Sequence, residues 1–314
     1  MKIVTSGFPY IDIDAYSGCV AYAALLKKQG FQAEAVSTSR WNESITKTIR
    51  SWQTPLITKY IPSAHDTYTL IDVSDPKHFD TFVDINRVEK VIDHHPGFES
   101  YWQEKIGTNV RIEFIGAVCT QVYELWKMVE KLNEMSSVSA SLLVCGILDN
   151  TLNFGAKVTT QRDVVAYKEL LKIAGLPKEW ANQYFMECQA SVVADVVTAI
   201  KNDTKVLIFH SFVNPLSTGQ LVVWDGRMIL DAYGDVLIKN FQAANSEWFM
   251  NLVSVGEGKS YFLATSTNVQ QWLSGLLKIQ FTGPIAAADR LWLRKEIIQQ
   301  DIVTKKPDNQ KLHN

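Results

Sequence analysis

The sequence lacks the long apolar run that a membrane-spanning helix requires. No stretch approaches about 20 consecutive apolar residues, and the start MKIVTSGFPYIDID carries acids where a signal peptide has its apolar segment. Charge of one sign is not in excess either, because 31 Lys and Arg stand against 33 Asp and Glu. These absences argue against a membrane protein and against an electrostatic clamp on duplex nucleic acid, and they predict a cytoplasmic location.

Cysteine is scarce, and its spacing matches neither a disulfide framework nor a CxxC metal site. Cys19, Cys119, Cys145 and Cys188 each lie in an apolar run, which predicts reduced thiols in the core. Repeats and low-complexity tracts are also absent. With 46% hydrophobic and 20% charged residues, the 314-residue chain is too apolar for disorder and can form one large domain or two smaller ones.

Strand-like and helix-like segments alternate over the first 190 residues. Such alternation predicts a parallel sheet built from right-handed crossovers, hence an α/β fold. The predicted strands are 2–5, 31–37, 67–73 and 90–93, and the predicted helices are 17–29, 42–52, 116–131, 137–148, 161–174 and 178–194.

The pattern changes near residue 200, where short strand-like runs become frequent. We therefore predict an N-terminal domain over 1–190, a smaller C-terminal α+β domain over 200–304 and a polar tail over 305–314. The predicted strands of the second domain are 206–210, 221–224, 228–231 and 236–238, with a hairpin of 250–255 and 261–265 around Gly256-Glu257-Gly258, and its predicted helices are 268–277 and 286–299.

Acidic residues follow several of these elements. Loops at the carboxyl ends of parallel strands converge on one crevice, and converging carboxylates repel each other unless a cation neutralises them. Mixed carboxylate and imidazole ligands suit Mn²⁺ better than Ca²⁺, and two ions can share a bridging Asp. We therefore infer a metal site for two ions. The residues concerned are Asp12, Asp14, Asp72, Asp93, His94, His95 and Asp149.

Each of these residues also has an ordinary structural interpretation. Asp12 and Asp14 could belong to a turn or cap the first helix, and Asp72 could simply close a strand. Asp149 could lie at a helix C-terminus, and the two histidines could lie on a loop surface. These residues form four acidic motifs: Asp12 with Asp14, Asp72, Asp93-His94-His95, and Asp149. All four motifs lie where a predicted strand or helix ends, and this shared placement favours the metal site.

The tripeptide Asp93-His94-His95, preceded by the strand KVI and followed by Pro96, resembles the signature of the DHH superfamily of phosphoesterases. The other acidic motifs occur in the superfamily's order, over roughly residues 1–165. The segments IGAVCT (115–120) and GILDNTLNFGAKVTTQRD (146–163) are similar to its manganese-dependent inorganic pyrophosphatase and exopolyphosphatase (prune-like) branch. The resemblance implies a doubly wound parallel-sheet N-terminal domain, a smaller C-terminal domain and an active site in the cleft between them.

The resemblance also implies roles for individual residues. His95 would contact the substrate phosphate or the leaving oxygen, and Asp93 would orient the histidines. The implied cofactor is two Mn²⁺ ions, with Mg²⁺ or Co²⁺ as alternatives. The implied metal ligands are Asp12 at the first ion, Asp14, His94 and Asp149 at the second, and Asp72 as the bridge between them.

The chain departs from the family pattern at two places. Phe8 stands where these pyrophosphatases have a histidine, so the first ion would lose a ligand; prune-like relatives lack that histidine too. The family's substrate-binding Arg-Lys-Lys motif is matched only by Arg294-Lys295-Glu296, with Arg290 predicted one helical turn earlier and Lys201 as a fainter candidate. An ordinary amphipathic helix with solvated charges is the alternative for this segment.

Three functions follow from these residues. The first is a phosphohydrolase that cleaves the phosphoanhydride bond of pyrophosphate or short polyphosphate with a metal-activated water, with a homodimer left open. The second is an oligonucleotide or cyclic-dinucleotide phosphodiesterase, for which Trp224, Trp272 or Trp292 would stack on bases. Core packing explains these tryptophans equally well, and a glycine-rich GGH-type segment is absent. The third is a catalytically silent metal- or phosphate-binding regulatory protein.

Overall fold

In the computed structural model, which describes residues 1–244 and 247–305, the chain divides between Glu187 and Cys188 into two units. The first unit spans Met1–Glu187 and the second begins at Cys188. The predicted polar tail begins at Lys305, the last residue of the last helix, and the rest of it lies outside the described residues.

The first unit is built on a six-stranded, all-parallel sheet with the order β5-β3-β1-β6-β7-β8, which confirms the predicted fold class. Two short strands, β2 and β4, form a separate parallel pair. The strands are β1 (Lys2–Thr5), β2 (Tyr10–Ile11), β3 (Ala33–Val36), β4 (Arg40–Trp41), β5 (Leu56–Ile57), β6 (Thr67–Ile71), β7 (Val88–Asp93) and β8 (Val110–Ile112).

Helices pack on both faces of this sheet. Its strands are therefore buried on both sides and consist largely of apolar residues. Tyr68 and Leu70 share one core with Trp102 of the third helix, whereas Ile71 faces the first helix at Gly18. The helices are α1 (Ile13–Lys28), α2 (Lys47–Arg50), α3 (Glu99–Ile106), α4 (Val118–Met128), α5 (Ser137–Thr151), α6 (Gln161–Ala174) and α7 (Trp180–Ala194), of which α7 contains the boundary between the units.

The second unit is built on a mixed sheet with the order β13-β14-β12-β11-β10-β9. Only β10 and β11 pair in parallel among the described strands of this sheet. Its elements are α8 (Val196–Asn202), β9 (Thr204–Leu207), β10 (Leu216–Val223), α9 (Gly226–Ala244), β11 (Trp248–Ser254), β12 (Lys259–Leu263), α10 (Thr267–Leu277), β13 (Phe281–Thr282), β14 (Ile285–Ala288) and α11 (Arg294–Lys305).

The predicted strands 228–231 and 236–238 are wrong, because both segments lie in the helix α9. Buried Ile229, Leu230, Leu237 and Phe241 recur at helical spacing and pack into one core. The connection from β10 to its parallel neighbour β11 requires a crossover, and a helix is the usual crossover element. The predicted hairpin around Gly256-Glu257-Gly258 is confirmed by the antiparallel pairing of β11 with β12.

Two predicted helices are also partly wrong. The segment 286–299 begins as the strand β14, whose alanines pair with β12, so sheet pairing overrides the helix propensity of alanine. Arg290 therefore precedes α11 and does not lie one helical turn before Arg294. The segment 42–52 forms only the single turn α2, which Thr46 caps instead of Asn42.

The described residues bear on two expectations, one about the cysteines and one about membrane-spanning helices. All four cysteines are free and buried, as their apolar surroundings predict. No helix in residues 1–244 or 247–305 combines the length and the apolar character that crossing a bilayer demands.

Candidate metal centre

Two chain segments meet at the carboxyl edge of the first sheet. Asp72 follows β6 and Asp93 ends β7, and because these parallel strands are neighbours their carboxyl ends lie side by side. Asp72 has a φ of +59°, a left-handed conformation for which aspartate is enriched. Its amide donates to the Ile92 oxygen at 2.9 Å. This turn holds the Asp72 side chain beside the histidines that follow β7.

The imidazole of His94 lies between two carboxylates. Its Nε2 is 3.1 Å from Oδ1 of Asp72 and 4.0 Å from Oδ2 of Asp14, and both His94 and Asp14 are buried. His95 Nδ1 lies 3.7 Å from the same Asp72 oxygen. Potential ligand atoms of Asp72, His94 and His95 all lie within 4.8 Å of one another. The fold thus brings four of the predicted site residues together.

Asp93 fixes the orientation of the two histidines. Its Oδ1 accepts the backbone amides of His94 and His95 at 2.7 and 3.1 Å, and it lies 2.9 Å from Nδ1 of His95. Burial raises the pKa of Asp93, but the charges of both histidines and hydrogen bonds from His95 and Ser74 outweigh burial and hold the pKa at about 2. Asp93 is thus an anion at neutral pH. With Nδ1 of His95 directed at it, Nε2 is the ring nitrogen that can contact a ligand.

The N-terminus of α4 holds the carboxylate of Asp14. Oδ2 accepts the Val118 amide at 2.8 Å, and Oδ1 accepts the Cys119 amide at 2.9 Å. Burial raises the pKa of Asp14 well above its ordinary value, and the negative charges of Asp72 and Asp12 raise it further, against hydrogen bonds from Cys119. A cation between these carboxylates would offset their repulsion and favour the ionised form of Asp14.

The other two predicted ligands have structural partners of their own. Asp12 is the N-cap of α1, and its Oδ1 accepts the Ala15 amide at 3.0 Å, so the capping interpretation is confirmed. Asp149 lies on α5, where its Oδ1 accepts the hydroxyl of Tyr184 at 2.9 Å. Within the described residues, neither belongs to the group of ligand atoms that lie within 4.8 Å of one another. A carboxylate has about four acceptor positions, so these contacts leave capacity for a metal.

The donor set of this cluster fits a divalent cation. Bonds from a transition-metal ion to nitrogen and oxygen ligands are about 2.0–2.2 Å long, so two ligands of one ion are separated by at most about 4.4 Å. The distances of 3.1 and 4.0 Å from His94 to Asp72 and Asp14 satisfy this limit. Carboxylate and imidazole are also the ligand types that such ions take. A candidate metal-binding group is therefore present at this edge of the sheet.

Arg294, a predicted substrate-binding residue, is buried in the second unit. Its guanidinium donates to the oxygens of Asp203 and Thr218 at 2.9 and 3.1 Å and pairs with the Asp203 carboxylate. The alternative of a solvated charge is therefore wrong for Arg294, because the guanidinium ties the start of α11 to the start of β9 and to β10. Its contact with a substrate phosphate stays a prediction.

The other predicted cations have varied surroundings. Arg290 donates to Glu296 at 3.1 Å, and its guanidinium carbon lies 3.2 Å from the centroid of the Trp292 ring, a cation–π contact. Lys295 is half-buried on α11, and Lys201 is exposed on α8. Their roles in substrate binding also stay predictions.

Two of the tryptophans considered as base-stacking platforms contribute to the core of the second unit. The Trp272 ring lies 5.0 and 5.1 Å from the rings of Phe209 and Phe212. Trp292 is buried in the same core. Their side chains are thus engaged in packing, the ordinary role of aromatic residues in a core.

Sequence reasoning missed two buried residues, one that contacts a predicted ligand and one that contacts the helix holding another. Tyr184 is fully buried on α7 and donates to Asp149, and no motif marks it. Asp163, fully buried on α6, accepts hydrogen bonds from the residues that begin α4. The signal for Asp163 is its place at the end of the segment 146–163, which resembles the pyrophosphatase branch.

Comparisons with known proteins agree with a metal-binding site, because sequence relatives of this chain are described as manganese-dependent. No family model matches this chain. It is 28% identical over 179 residues to a probable manganese-dependent inorganic pyrophosphatase of Bacillus licheniformis, a match that covers 56% of each chain. It is 24% identical over 272 residues to a protein of the same description from Listeria welshimeri, which covers 85% of this chain and 82% of the relative. The chain thus spans little more than half the length of the first relative.

Solved structures share the fold. A Methanococcus jannaschii protein assigned to the family II inorganic pyrophosphatases matches with a TM-score of 0.72 and 17% identity over 96% of this chain and 100% of that one. An exopolyphosphatase-related protein from Bacteroides fragilis matches with a TM-score of 0.52 and 12% identity over 95% of this chain and 89% of that one. The fold is that of a family II pyrophosphatase. The similarity of the sequence to the manganese-dependent pyrophosphatase branch is confirmed.

Proposed function

We propose that this chain is a metal-dependent phosphohydrolase that cleaves the phosphoanhydride bond of pyrophosphate or of short polyphosphate. The observation that carries the proposal is the buried cluster of Asp14, Asp72 and His94 beside the half-exposed ring of His95. The names of the sequence relatives, probable manganese-dependent inorganic pyrophosphatases, support this substrate class.

The metal that we propose is Mn²⁺, as two ions, with Mg²⁺ or Co²⁺ as alternatives. Asp12 would bind the first ion, Asp72 would bridge, and Asp14, His94 and Asp149 would bind the second. The direction of His95 Nδ1 toward Asp93 supports His94 as the ligand among the two histidines. When bound, such ions lower the pKa of a coordinated water and neutralise phosphate charge.

His95 is the group that we expect to touch the substrate. Its side chain is 44% exposed, whereas that of Asp93 is fully buried. The carboxylate of Asp93 lies 2.9 Å from Nδ1 of His95 and fixes that side of the ring, so Nε2 is the atom that would contact a phosphate oxygen or the leaving phosphate. Asp93 itself is a positioning residue. The residues that we propose for contact with the remaining phosphate oxygens are the cations named from the sequence, Lys295, Arg290, Lys201 and Arg294.

The experiment is phosphate release from pyrophosphate, tripolyphosphate, long-chain polyphosphate and a dinucleotide, each with added Mn²⁺. The parent is compared with Asp149→Ala and with the control Asp84→Ala. Asp84 is an exposed carboxylate that caps the turn before β7, at the opposite end of that strand from the cluster. The control therefore also loses a carboxylate, but away from the site.

The expected result is release from pyrophosphate or a short polyphosphate that Asp149→Ala loses and Asp84→Ala retains. Cleavage of the dinucleotide alone would contradict the proposed substrate class and favour a phosphodiesterase. No release from any substrate by a protein that binds Mn²⁺ would contradict the proposal and favour a silent metal-binding protein. The cytoplasmic location and the homodimer stay predictions.

A further inference from the structure

The two sequence segments 115–120 and 146–163 meet at one buried carboxylate, that of Asp163. This residue is fully buried in the first turn of α6. Its Oδ2 accepts the amide and the hydroxyl of Thr160 at 2.7 and 2.8 Å. Thr160 in turn caps α6, so the two residues form a capping box.

The same carboxylate also accepts three hydrogen bonds from the chain that begins α4. The amides of Gly116 and Ala117 donate at 3.1 and 3.3 Å, and the hydroxyl of Thr120 donates at 2.6 Å. A capping box involves only the N-cap residue and the residue three positions later, so it does not account for these three contacts. The carboxylate therefore joins the N-terminus of α4 to the N-terminus of α6, where the helix dipoles favour a negative charge.

The approach of Asp163 to this loop requires glycine at position 116. A Cβ atom on Gly116 would lie 2.7 Å from Oδ2 of Asp163 and 2.8 Å from Cγ2 of Thr151. Both distances are well below an ordinary contact of about 3.5–4.0 Å. The sequence IGAVCT thus has its glycine where the backbone must come close to a buried carboxylate.

The start of α4 is also the part of the helix that holds Asp14. The amides of Val118 and Cys119, which follow the two amides bound to Asp163, donate to the two oxygens of Asp14. Asp14 Oδ2 is in turn 4.0 Å from Nε2 of His94. Four consecutive amides, from 116 to 119, are therefore divided between two buried carboxylates, one structural and one in the metal cluster.

We infer that Asp163 is a positioning residue for the metal centre, which it acts on through the N-terminus of α4 and the carboxylate of Asp14. This inference rests on the proposed function, since it assumes that Asp14 binds the metal. By fixing the loop 116–117, Asp163 sets where the amides of Val118 and Cys119 point and hence where Asp14 is held. Outer contacts of this kind alter metal affinity as well as activity.

Asp163→Asn tests the inference with little change of shape. The amide nitrogen of asparagine donates and cannot accept. In either orientation of the side-chain amide, its NH₂ group faces hydrogen-bond donors. These are the donors of Ala117 and Thr120 in one orientation and those of Gly116 and Thr160 in the other. The matched control is Thr160→Val, which removes one hydroxyl from the same carboxylate on the α6 side alone.

The readout is Mn²⁺ affinity, measured from the electron paramagnetic resonance signal of free Mn²⁺ as metal is added to the metal-free protein. We expect Asp163→Asn to weaken Mn²⁺ binding by about tenfold, the lower end of the range for groups that hydrogen-bond a ligand directly, because Asp163 acts one contact further out, through the start of α4. Thr160→Val should lower the melting temperature but leave the affinity within about twofold. A merely structural role for Asp163 would lower stability in both variants without this difference in affinity.

A folded Asp163→Asn variant with parental Mn²⁺ affinity overturns the inference, as does an equal loss of affinity in Thr160→Val. If Asp163→Asn does not fold, Thr120→Val takes its place, because it removes the α4 hydroxyl from the same oxygen. Unchanged affinity in that variant is then the contradicting result. A parent that binds no Mn²⁺ refutes the proposed function itself, which separates the two failures.

Discussion

Gly146→Ala should destabilise the protein although it places a better helix former in α5. Alanine stabilises a helix interior by about 0.5–1 kcal/mol relative to glycine. A Cβ at Gly146, however, would lie 2.4 Å from Sγ of Cys119 and 3.0 Å from Oδ1 of Asp14. An ordinary contact is about 3.5–4.0 Å, so the buried thiol must move by about 1 Å.

The net effect follows from the difference between the two contributions. Overpacking of a core costs about 1–3 kcal/mol, and the helix-propensity gain of about 0.5–1 kcal/mol offsets only part of it, so the free energy of unfolding should fall by up to about 2.5 kcal/mol. Because the new methyl also contacts Asp14, Mn²⁺ affinity should fall together with stability. The strain lies between α5, α4 and α1, the three helices that carry Asp149, Cys119 and Asp14.

The assay is equilibrium unfolding in urea of the metal-free protein, with the Mn²⁺ titration as a second measurement. Gly275→Ala is the matched control, since it lies in α10 and a Cβ there meets nothing within 4 Å. That variant should be as stable as the parent or more stable. A Gly146→Ala protein with at least parental stability and parental Mn²⁺ affinity would refute the reasoning.

Three further substitutions test other parts of the account. Phe8→His should tighten Mn²⁺ binding if the position faces the first ion, and an unchanged affinity would show that the loop is arranged differently. Arg294→Gln should lower the free energy of unfolding by about 2–3 kcal/mol, because it leaves the buried partners in Asp203 and Thr218 unmatched; a raised KM for pyrophosphate at parental stability would instead indicate a substrate contact. Asp93 has a pKa held at about 2, below its ordinary value of 3.8, so its carboxylate stabilises the metal-free fold above about pH 4 and loses that contribution as the pH falls toward 2. The stability difference between the parent and Asp93→Asn should therefore shrink over this pH range, and a constant difference would contradict the sign.

The helix α6 and the strands that position the cluster could be predicted from local sequence. The helix runs from Gln161 to Ala174 as predicted, because Thr160 caps its start and Gly175, in a left-handed conformation, ends it. The strands β6 and β7 are apolar runs that end in acids. That the acids ending these strands lie at one edge follows from the rule that the carboxyl ends of parallel strands meet there, whereas the direct pairing of β6 with β7 is known only from the structure.

The helix α9 and the strand β14 could not be predicted from local sequence. In α9 the short apolar runs around Ile229 and Leu237 resemble strands, and only the parallel pairing of β10 with β11 makes a crossover helix necessary. In β14 the alanines favour a helix until pairing with β12 is known. Partners far apart in the chain, such as Tyr184 with Asp149, carry no local signal.

The measurement that tests the central claim most directly is Mn²⁺-dependent phosphate release from pyrophosphate by the parent, Asp72→Asn and Asp84→Asn. Asp72 lies 3.1 Å from Nε2 of His94, whereas Asp84 caps an exposed turn. The account predicts turnover by the parent and by Asp84→Asn, with loss of both Mn²⁺ binding and turnover in Asp72→Asn. Parental turnover by Asp72→Asn would contradict the assignment of this cluster as the catalytic metal centre.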